Sequence, residues 1–360
     1  MSAPQKSHHK EKFVLVSCCD SYVGHALAHY LAQELATRPG KLKKKWRVRA
    51  LCENLQGKED LLQAGVDVQQ IQYHDNMMLR SQMKGVRSII ITLDPSEQRA
   101  TNAINIMDAA STENIKSTQM VSIMGCELAE EQLEPRLHQY YVLEQSLREK
   151  FAYGRWCVFR ASFINQGFYF WNDMIERNGK IGMPLSEGTP FTTISIQDVC
   201  DAIATVILSS SSKSQDHETD DDDDDDITDP SLVKRVYELT GSCPYTGQDV
   251  AMKLNEALGG QEGEIQYAEI SEEELREYLR NKKLTRPTQA DPPGLVPDPH
   301  CYLSQVFIDT MIDCFKTMER TNVGQKVTNH VRDLTGKEPV DLGQFFVENR
   351  HQFRRPSGSQ

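Results

Sequence analysis

The residues best placed to do chemistry lie between Val16 and Gly24. There Ser17, Cys18, Cys19, Asp20, Ser21, Tyr22 and Val23 link an apolar run, Phe13-Val-Leu-Val16, to a helical pattern. A strand that turns directly into a helix offers a phosphate N–H groups and the positive end of the helix dipole. Glycines let the backbone approach a pyrophosphate, and a GxxGxxG spacing ending at Gly24 asks for them at positions 18 and 21. Cys18 and Ser21 stand there instead. Asp20 adds a negative charge, which repels a phosphate charge at ~5 Å by about 3 kcal/mol at an effective dielectric of about 20. Asp20 and Ser21 are equally good helix N-caps, so the loop reads either as a weakened phosphate site or as a capped helix start. Glu53, at the tip of the second apolar strand Arg47–Cys52, is the other diagnostic position. An acid there suits the ribose hydroxyls of NAD, whereas NADP asks for an Arg; the plain alternative is a solvated loop acid.

Alternating elements must position these residues. Ala26, Leu27, Tyr30, Leu31 and Leu35 recur at helical spacing after the loop. Further strands are expected at 47–52, 66–71, 86–92, 119–123 and 156–160, with helices at 57–64, 76–84, 98–111 and 138–150. Strand–helix alternation predicts an α/β fold, a doubly wound parallel sheet of Rossmann type covered on both faces. A smaller α+β C-terminal lobe is expected to follow, with a strand at 236–239 and a helix at 247–258. Ser271-Glu-Glu-Glu274 is a capping-box pattern opening a helix to about residue 282. After prolines 287, 292, 293, 297 and 299, helices are expected over 302–319 and from Asp341, with Gln344 three residues on. The expected divisions are a disordered N-terminus (1–11), a dinucleotide-binding domain (12–208), an acidic disordered insertion (209–230), the C-terminal lobe (231–353) and a tail (354–360).

Of 360 residues, 39% are hydrophobic, and the net charge is −12. Nine acids fall within 216–226, including the unbroken run Asp220 to Asp226, and without them the chain carries −3. That near-neutral body argues against direct nucleic-acid binding, which needs clustered Lys and Arg. No apolar run approaches the roughly 18 residues of a membrane span. The N-terminal MSAPQKSHHKEK has no hydrophobic segment of a secretory signal, so a cytoplasmic protein is expected, with nuclear residence as a second location. Nine cysteines without a CxxC pair read as reduced, buried thiols, and ten histidines without an HExxH motif point to no metal site.

From 12 to 353, apart from the acidic insertion, the chain resembles the NmrA-like family of atypical short-chain dehydrogenase/reductase proteins. The likeness rests on Val236-Tyr-Glu-Leu-Thr-Gly241, Asp249-Val-Ala251, Leu254-Asn-Glu-Ala-Leu-Gly259 and Ile265-Gln-Tyr-Ala-Glu-Ile-Ser271. Ser195-Ile-Gln-Asp-Val199, Leu334-Thr-Gly-Lys-Glu-Pro339 and Phe345-Phe-Val-Glu-Asn349 extend it, as do Gly65-Val-Asp-Val68 and Ser122-Ile-Met-Gly125. The resemblance implies an NAD(P)-binding fold and one of two activities. Some members are NAD(P)H-dependent reductases of quinone-like or conjugated carbonyl substrates; others bind dinucleotides and regulate protein partners according to redox state.

By the same resemblance, Thr92 and Leu93 would line the cofactor cleft, and Arg160-Ala-Ser-Phe163 would close it on the nicotinamide side. Ser122 falls where related enzymes place a substrate-facing serine. Short-chain dehydrogenases pair a proton-donating Tyr with a Lys four residues on. Here Tyr140 is followed by Glu144 and Tyr141 by Gln145, and Tyr140 stands where reductases of this family often carry Lys. His138 could serve as an acid or simply sit on a helix surface. These degenerate motifs favour a dinucleotide-sensing regulator that presents its C-terminal lobe to a protein partner, with NAD preferred over NADP and binding weakened or lost. The alternatives are an active reductase and a scaffold that binds no nucleotide.

Overall fold

Phe13 and Leu15 point to one side of their strand and Val14 and Val16 to the other, and all four are buried in two separate apolar clusters. A strand buried on both faces belongs in the middle of a covered parallel sheet. The computed structural model describes residues 11–37, 46–209, 229–282 and 302–356. The expectations for residues 1–10, for most of the acidic insertion and for the proline-rich connector lie outside these.

The strands are β1 (Lys12–Val16), β2 (Trp46–Cys52), β3 (Asp67–Gln70), β4 (Val86–Ile91), β5 (Ser117–Ile123) and β6 (Arg155–Ala161), then β7 (Phe163–Ile164), β8 (Lys180–Met183), β9 (Phe191–Ile194), β10 (Arg235–Leu239), β11 (Pro244–Tyr245) and β12 (Gln266–Glu269). The helices are α1 (Tyr22–Thr37), α2 (Glu59–Gln63), α3 (Asn76–Gln82), α4 (Arg99–Thr112), α5 (Pro135–Lys150) and α6 (Asn172–Asn178), then α7 (Ile196–Leu208), α8 (Gly247–Ala257), α9 (Glu272–Arg280), α10 (Gln305–Thr321), α11 (His330–Thr335) and α12 (Leu342–Glu348).

Seven strands form one sheet in the order β10-β6-β5-β4-β1-β2-β3, every pair parallel. Helices α1 and α7 cover one face, and α4 and α5 the other. The order reverses direction between β1 and β4, so the chain leaves these two neighbours toward opposite sides and opens a crevice beyond their C-terminal ends. The loop from Ser17 to Ser21 follows β1, at that crevice. This is the expected doubly wound fold.

Three departures have physical reasons. The strand at 236–239 joins the main sheet as β10, parallel to β6, instead of standing within the C-terminal lobe. Strand β5 starts at Ser117, because Ser117, Gln119 and Ser88 satisfy one another by buried hydrogen bonds and so can occupy a core strand. Helix α5 starts at Pro135, whose fixed φ suits a first helical position. The capping box at Ser271 forms with both reciprocal bonds, and Asp341 caps α12 by accepting from the amides of Gly343 and Gln344. The lobe packs α6, α8, α9, α10 and α12 around an aromatic centre that includes Phe168, Trp171, Phe315, Phe345 and Phe346.

Asp198 in the first turn of α7 ties the lobe's last segment to the sheet domain, accepting from the Val340 amide at 2.9 Å. It is 6% exposed, and burial pushes its carboxyl from 3.8 to about 6. Between those values the folded protein holds one proton more than the unfolded chain. Stability from this group therefore falls as pH rises through that window, by up to about 3 kcal/mol at full ionisation. Asp198→Asn keeps an acceptor for Val340 without the charge. Urea denaturation should show it more stable than wild type by about 1–2 kcal/mol at pH 8 and indistinguishable near pH 4; an equal difference at both pH values would refute this origin.

Candidate functional site

The loop after β1 is held by its own side chains. Ser17 Oγ donates to the Thr92 carbonyl at 3.1 Å and accepts from the Thr92 amide at 3.0 Å, stitching the ends of β1 and β4 together. The Cys18 carbonyl accepts from Thr92 Oγ1 at 3.0 Å and from Ser21 Oγ at 2.9 Å. Ser21 Oγ in turn accepts from the Gly24 amide at 3.1 Å, so Ser21 caps α1 and takes up a donor that a phosphate would otherwise receive. Gly24 permits a close approach: a Cβ there would stand 1.7 Å from the Cys18 carbonyl oxygen, so only glycine lets α1 come this near the strand ends. Burial pushes the thiols of Cys18 and Cys19 well up, and that of Cys52 to about 11, leaving little nucleophilic thiolate in the loop.

Asp20, the other expected N-cap, is used differently. Its carboxylate accepts from the amides of Glu53 at 2.6 Å and Asn54 at 3.4 Å, binding the loop to the tip of β2. Burial pushes the Asp20 carboxyl up, while the Glu53 and Asn54 amides and Lys58 pull it down. The Glu53 side chain is exposed, and its carboxyl is raised by burial, then by Asp94, then by Asp20. Three acids thus share the ground between β1, β2 and β4.

Beside the loop lies a cavity of about 220 Å³. Ser21, Tyr22 and Val23 line it from the loop, Thr92, Leu93 and Asp94 from the end of β4, and Ser122 and Met124 from the end of β5. Ala161, Ser162 and Phe163 line it from the end of β6, Arg99 and Tyr140 from α4 and α5, and Phe307, Thr310, Met311 and Cys314 from α10. The fold therefore gathers Ser21, Tyr22, Val23, Thr92, Leu93, Ser122, Tyr140 and Phe163 at one surface. Ser17, Cys18, Cys19, Asp20, Gly24 and Glu53 are not part of this wall, and neither is Arg160. His138 is absent from it too, its Nδ1 lying 2.9 Å from the Ala129 carbonyl oxygen.

The cavity is poor in proton donors. Ser122 Oγ donates to Glu144 Oε1 at 2.7 Å. Glu144 is 0% exposed and is clasped by Arg160, with Nε to Oε1 at 2.9 Å and Nη2 to Oε2 at 2.7 Å; Cys126 Sγ donates to Oε1 at 3.1 Å. The serine is thus locked into a closed ionic network. The Tyr140 hydroxyl has no hydrogen-bond partner among the described residues, and the Arg99 guanidinium lies 5.1 Å from its ring centre. Burial raises the Tyr140 phenol, with Arg99 opposing.

Sequence reasoning missed several residues of the wall, among them Arg99, Tyr302 and those supplied by α10. Arg99 follows the strand-end segment Thr92–Leu93 closely enough to have been considered, but it reads as an ordinary charge at a helix start. Tyr302 stands just before α10, whose first turn is capped by Ser304; its hydroxyl is 3.0 Å from His25 Nδ1, and His25 Nε2 is 2.8 Å from Asp60 Oδ2. Its ring meets Tyr22 edge-on at 5.9 Å, beside the loop. His25 and His29 stand one turn apart on α1, a two-histidine spacing that sequence reasoning also passed over. Among the described residues no three metal-ligating side chains gather. Ser162, within the expected segment Arg160–Phe163, has a buried Oγ with no partner among the described residues. A dinucleotide fits this ground: the carboxamide or a ribose hydroxyl would satisfy Ser162, and Gly24 supplies the close approach of helix to loop.

A parallel sheet with a strand-order reversal, a glycine-dependent loop at that reversal and a cavity over the strand ends define a nucleotide-binding Rossmann protein. Residues 28–210 match the NAD(P)H-binding family profile, and the chain belongs to that family. Among solved structures it is similar to an NADPH-dependent quinone oxidoreductase from Escherichia coli, at 16% identity over 93% of this chain and 99% of that one, with a TM-score of 0.66. It is also similar to triphenylmethane reductase from Citrobacter sp., at 16% identity over 93% and 99% with a TM-score of 0.62. NmrA, a negative transcriptional regulator in complex with NAD, is 13% identical over 95% of each chain with a TM-score of 0.61. At these identities the likeness defines the fold. No curated protein matches the sequence. Among the described residues no helix is long and apolar enough to cross a membrane.

Proposed function

We propose that this chain is a dinucleotide-sensing regulatory protein. The reading is carried by the closed network around Glu144: Ser122, at the end of β5, donates its hydroxyl hydrogen bond to a carboxylate already clasped by Arg160. Tyr140 has no Lys and no base beside it to return its proton, and Arg99, 5.1 Å from its ring centre, only opposes the rise that burial imposes on its phenol. The dinucleotide, when bound, supplies a hydride-carrying nicotinamide whose redox state is what the protein reads. Ser21, Tyr22 and Val23 would face the pyrophosphate, and Thr92, Leu93, Ser122 and Phe163 would flank the nicotinamide half. Ser17, Cys18, Cys19 and Gly24 shape the loop from behind, while Asp20 and Glu53 face the adenosine ribose. Both acids oppose a 2′-phosphate, so NAD is preferred over NADP. The C-terminal lobe presents the surface read by a protein partner, in the cytoplasm or the nucleus.

A second reading, an NAD(P)H-dependent reductase of a quinone or conjugated carbonyl, is favoured by the position of the Tyr140 phenol in the cavity wall. Calorimetric titration with NAD, NADH, NADP and NADPH, followed by NADH oxidation in the presence of a quinone, separates the two. The regulator is expected to bind NADH without saturable oxidation; quinone-dependent turnover would establish the reductase. If no dinucleotide binds below millimolar, both readings fail and the scaffold stands.

Asp20→Asn provides a sharper check, because the amide oxygen can still accept from Glu53 while the charge is gone. NADPH affinity should rise about tenfold, since removing one carboxylate near a phosphate is worth about 1–3 kcal/mol. NADH should gain less. An unchanged NADPH affinity means that the 2′-phosphate does not pass Asp20.

A further inference from the structure

The cavity wall holds an uncompensated cation. Arg99 is 3% exposed and forms no salt bridge among the described residues. Its guanidinium donates only to neutral acceptors: Nε to Gln139 Oε1 at 3.1 Å, Nη1 to Thr310 Oγ1 at 2.8 Å and Nη2 to the Arg136 carbonyl at 2.6 Å. Three of its five N–H groups are thereby used, leaving one on each terminal nitrogen. The acids of this region are spent elsewhere. Asp94 accepts from the Ser96 amide and Asn102 Nδ2, Asp313 from the amides of Arg136 and Leu137, and Glu97 pairs with Arg136. A buried charge is ordinarily paired, because leaving water without a partner is costly. Here the missing partner faces a cavity otherwise walled largely by Phe163, Phe170, Phe307, Met311 and Met318.

We propose that the cavity is the binding site for a small aromatic or conjugated carboxylate, with its acid group on Arg99 and its rings against the phenylalanine and methionine side chains. A guanidinium with a free N–H on each terminal nitrogen suits a carboxylate, and the planar apolar body fits the rest of the wall. The Tyr140 hydroxyl, unpartnered beside Arg99, is available to the same oxygens. Size agrees: a dry apolar cavity of about 150 Å³ holds one benzene, so about 220 Å³ suits one or two fused rings. The inference rests on the reading of this cleft as a ligand site, and it names a second ligand class for that site, besides the dinucleotide.

The test needs no variant to begin. The full chain is titrated calorimetrically with 2-naphthoate and with its neutral counterpart 2-naphthamide, and the same preparation with NADH. Naphthoate is expected to bind at least about tenfold more tightly than naphthamide, the discrimination of one charge-assisted pair. In Arg99→Gln the ratio should fall to within about twofold. Met311→Trp, which fills the cavity from α10 without touching the three Arg99 bonds, should abolish binding of both probes. Equal affinities in the wild type, no binding of either probe at millimolar concentration, or a ratio that survives Arg99→Gln each overturns the proposal. Because the wild-type ratio is read independently, a variant that fails to fold leaves the proposal decided. NADH binding without acid discrimination removes this inference and keeps the dinucleotide reading; acid discrimination without NADH binding does the reverse.

Discussion

Arg160→Met is expected to cost about 3 kcal/mol of folding stability, the lower end of the penalty for breaking a buried ion pair, because Arg148 stays 3.3 Å from Glu144. Arg160 is 6% exposed and holds Glu144 through two hydrogen bonds, with Nη1 also 2.8 Å from Glu127 Oε1 and 4.0 Å from Glu238 Oε1. Removing the guanidinium leaves Glu144 with Ser122, Cys126 and the Arg148 contact at 3.3 Å as its donors among the described residues. Because β5 and β6 pair through Ser122 and Arg160, the damage falls on the sheet beneath the cavity. Glu144→Gln should cost less, since Arg160 keeps Glu127. The double variant Arg160→Met/Glu144→Gln should recover part of the loss, as the buried charge is gone. Urea denaturation of the four proteins gives the coupling energy, and additive losses would mean that the two side chains do not share one network.

What could be read in advance follows how each contact is encoded. The sheet was legible because β1, β4 and β6 are short apolar runs between helical patterns, and burial on both faces leaves that signature. Strands β7 and β11, two residues each, carry no periodicity to detect, and β5 hides its polar start in a Ser–Gln network. The site was half legible. Spacing alone located the loop and the strand ends, and it correctly made Ser21 a cap. It could not place Asp20, whose partners are backbone amides of Glu53 and Asn54 that any residue would supply. Nor could it bring Arg99 to Thr310, a bond spanning 211 positions, or Tyr302 to His25, one spanning 277. Those contacts close the cavity, and they exist only once α10 has packed across the ends of β4, β5 and β6.

That closure explains why a loop lacking two of its expected glycines can still have a firm shape. A GxxGxxG loop leaves backbone donors open for phosphate; here hydroxyls of Ser17, Ser21 and Thr92 fill the loop from within. Only at Gly24 does no side chain fit, so the largest effect of a single methyl group in the site should appear there. In Gly24→Ala the new Cβ would meet the Cys18 carbonyl oxygen at 1.7 Å, the Cys18 carbonyl carbon at 2.7 Å and Thr92 Oγ1 at 2.7 Å. The carbonyl cannot swing aside without breaking its bonds to Thr92 and Ser21, so α1 must move away from the strand ends. Overpacking of this kind costs about 1–3 kcal/mol and more where backbone is the obstacle. Alanine's better helix propensity returns about 1 kcal/mol. A net loss of about 2–3 kcal/mol in urea denaturation is therefore expected, together with loss of any dinucleotide affinity measured on the folded variant. Adding Thr92→Ala relieves only the hydroxyl contact and should restore little, because the decisive obstacle is the Cys18 carbonyl. A Gly24→Ala protein as stable as wild type would mean that α1 does not approach the loop this closely, and the phosphate site would then have to lie elsewhere.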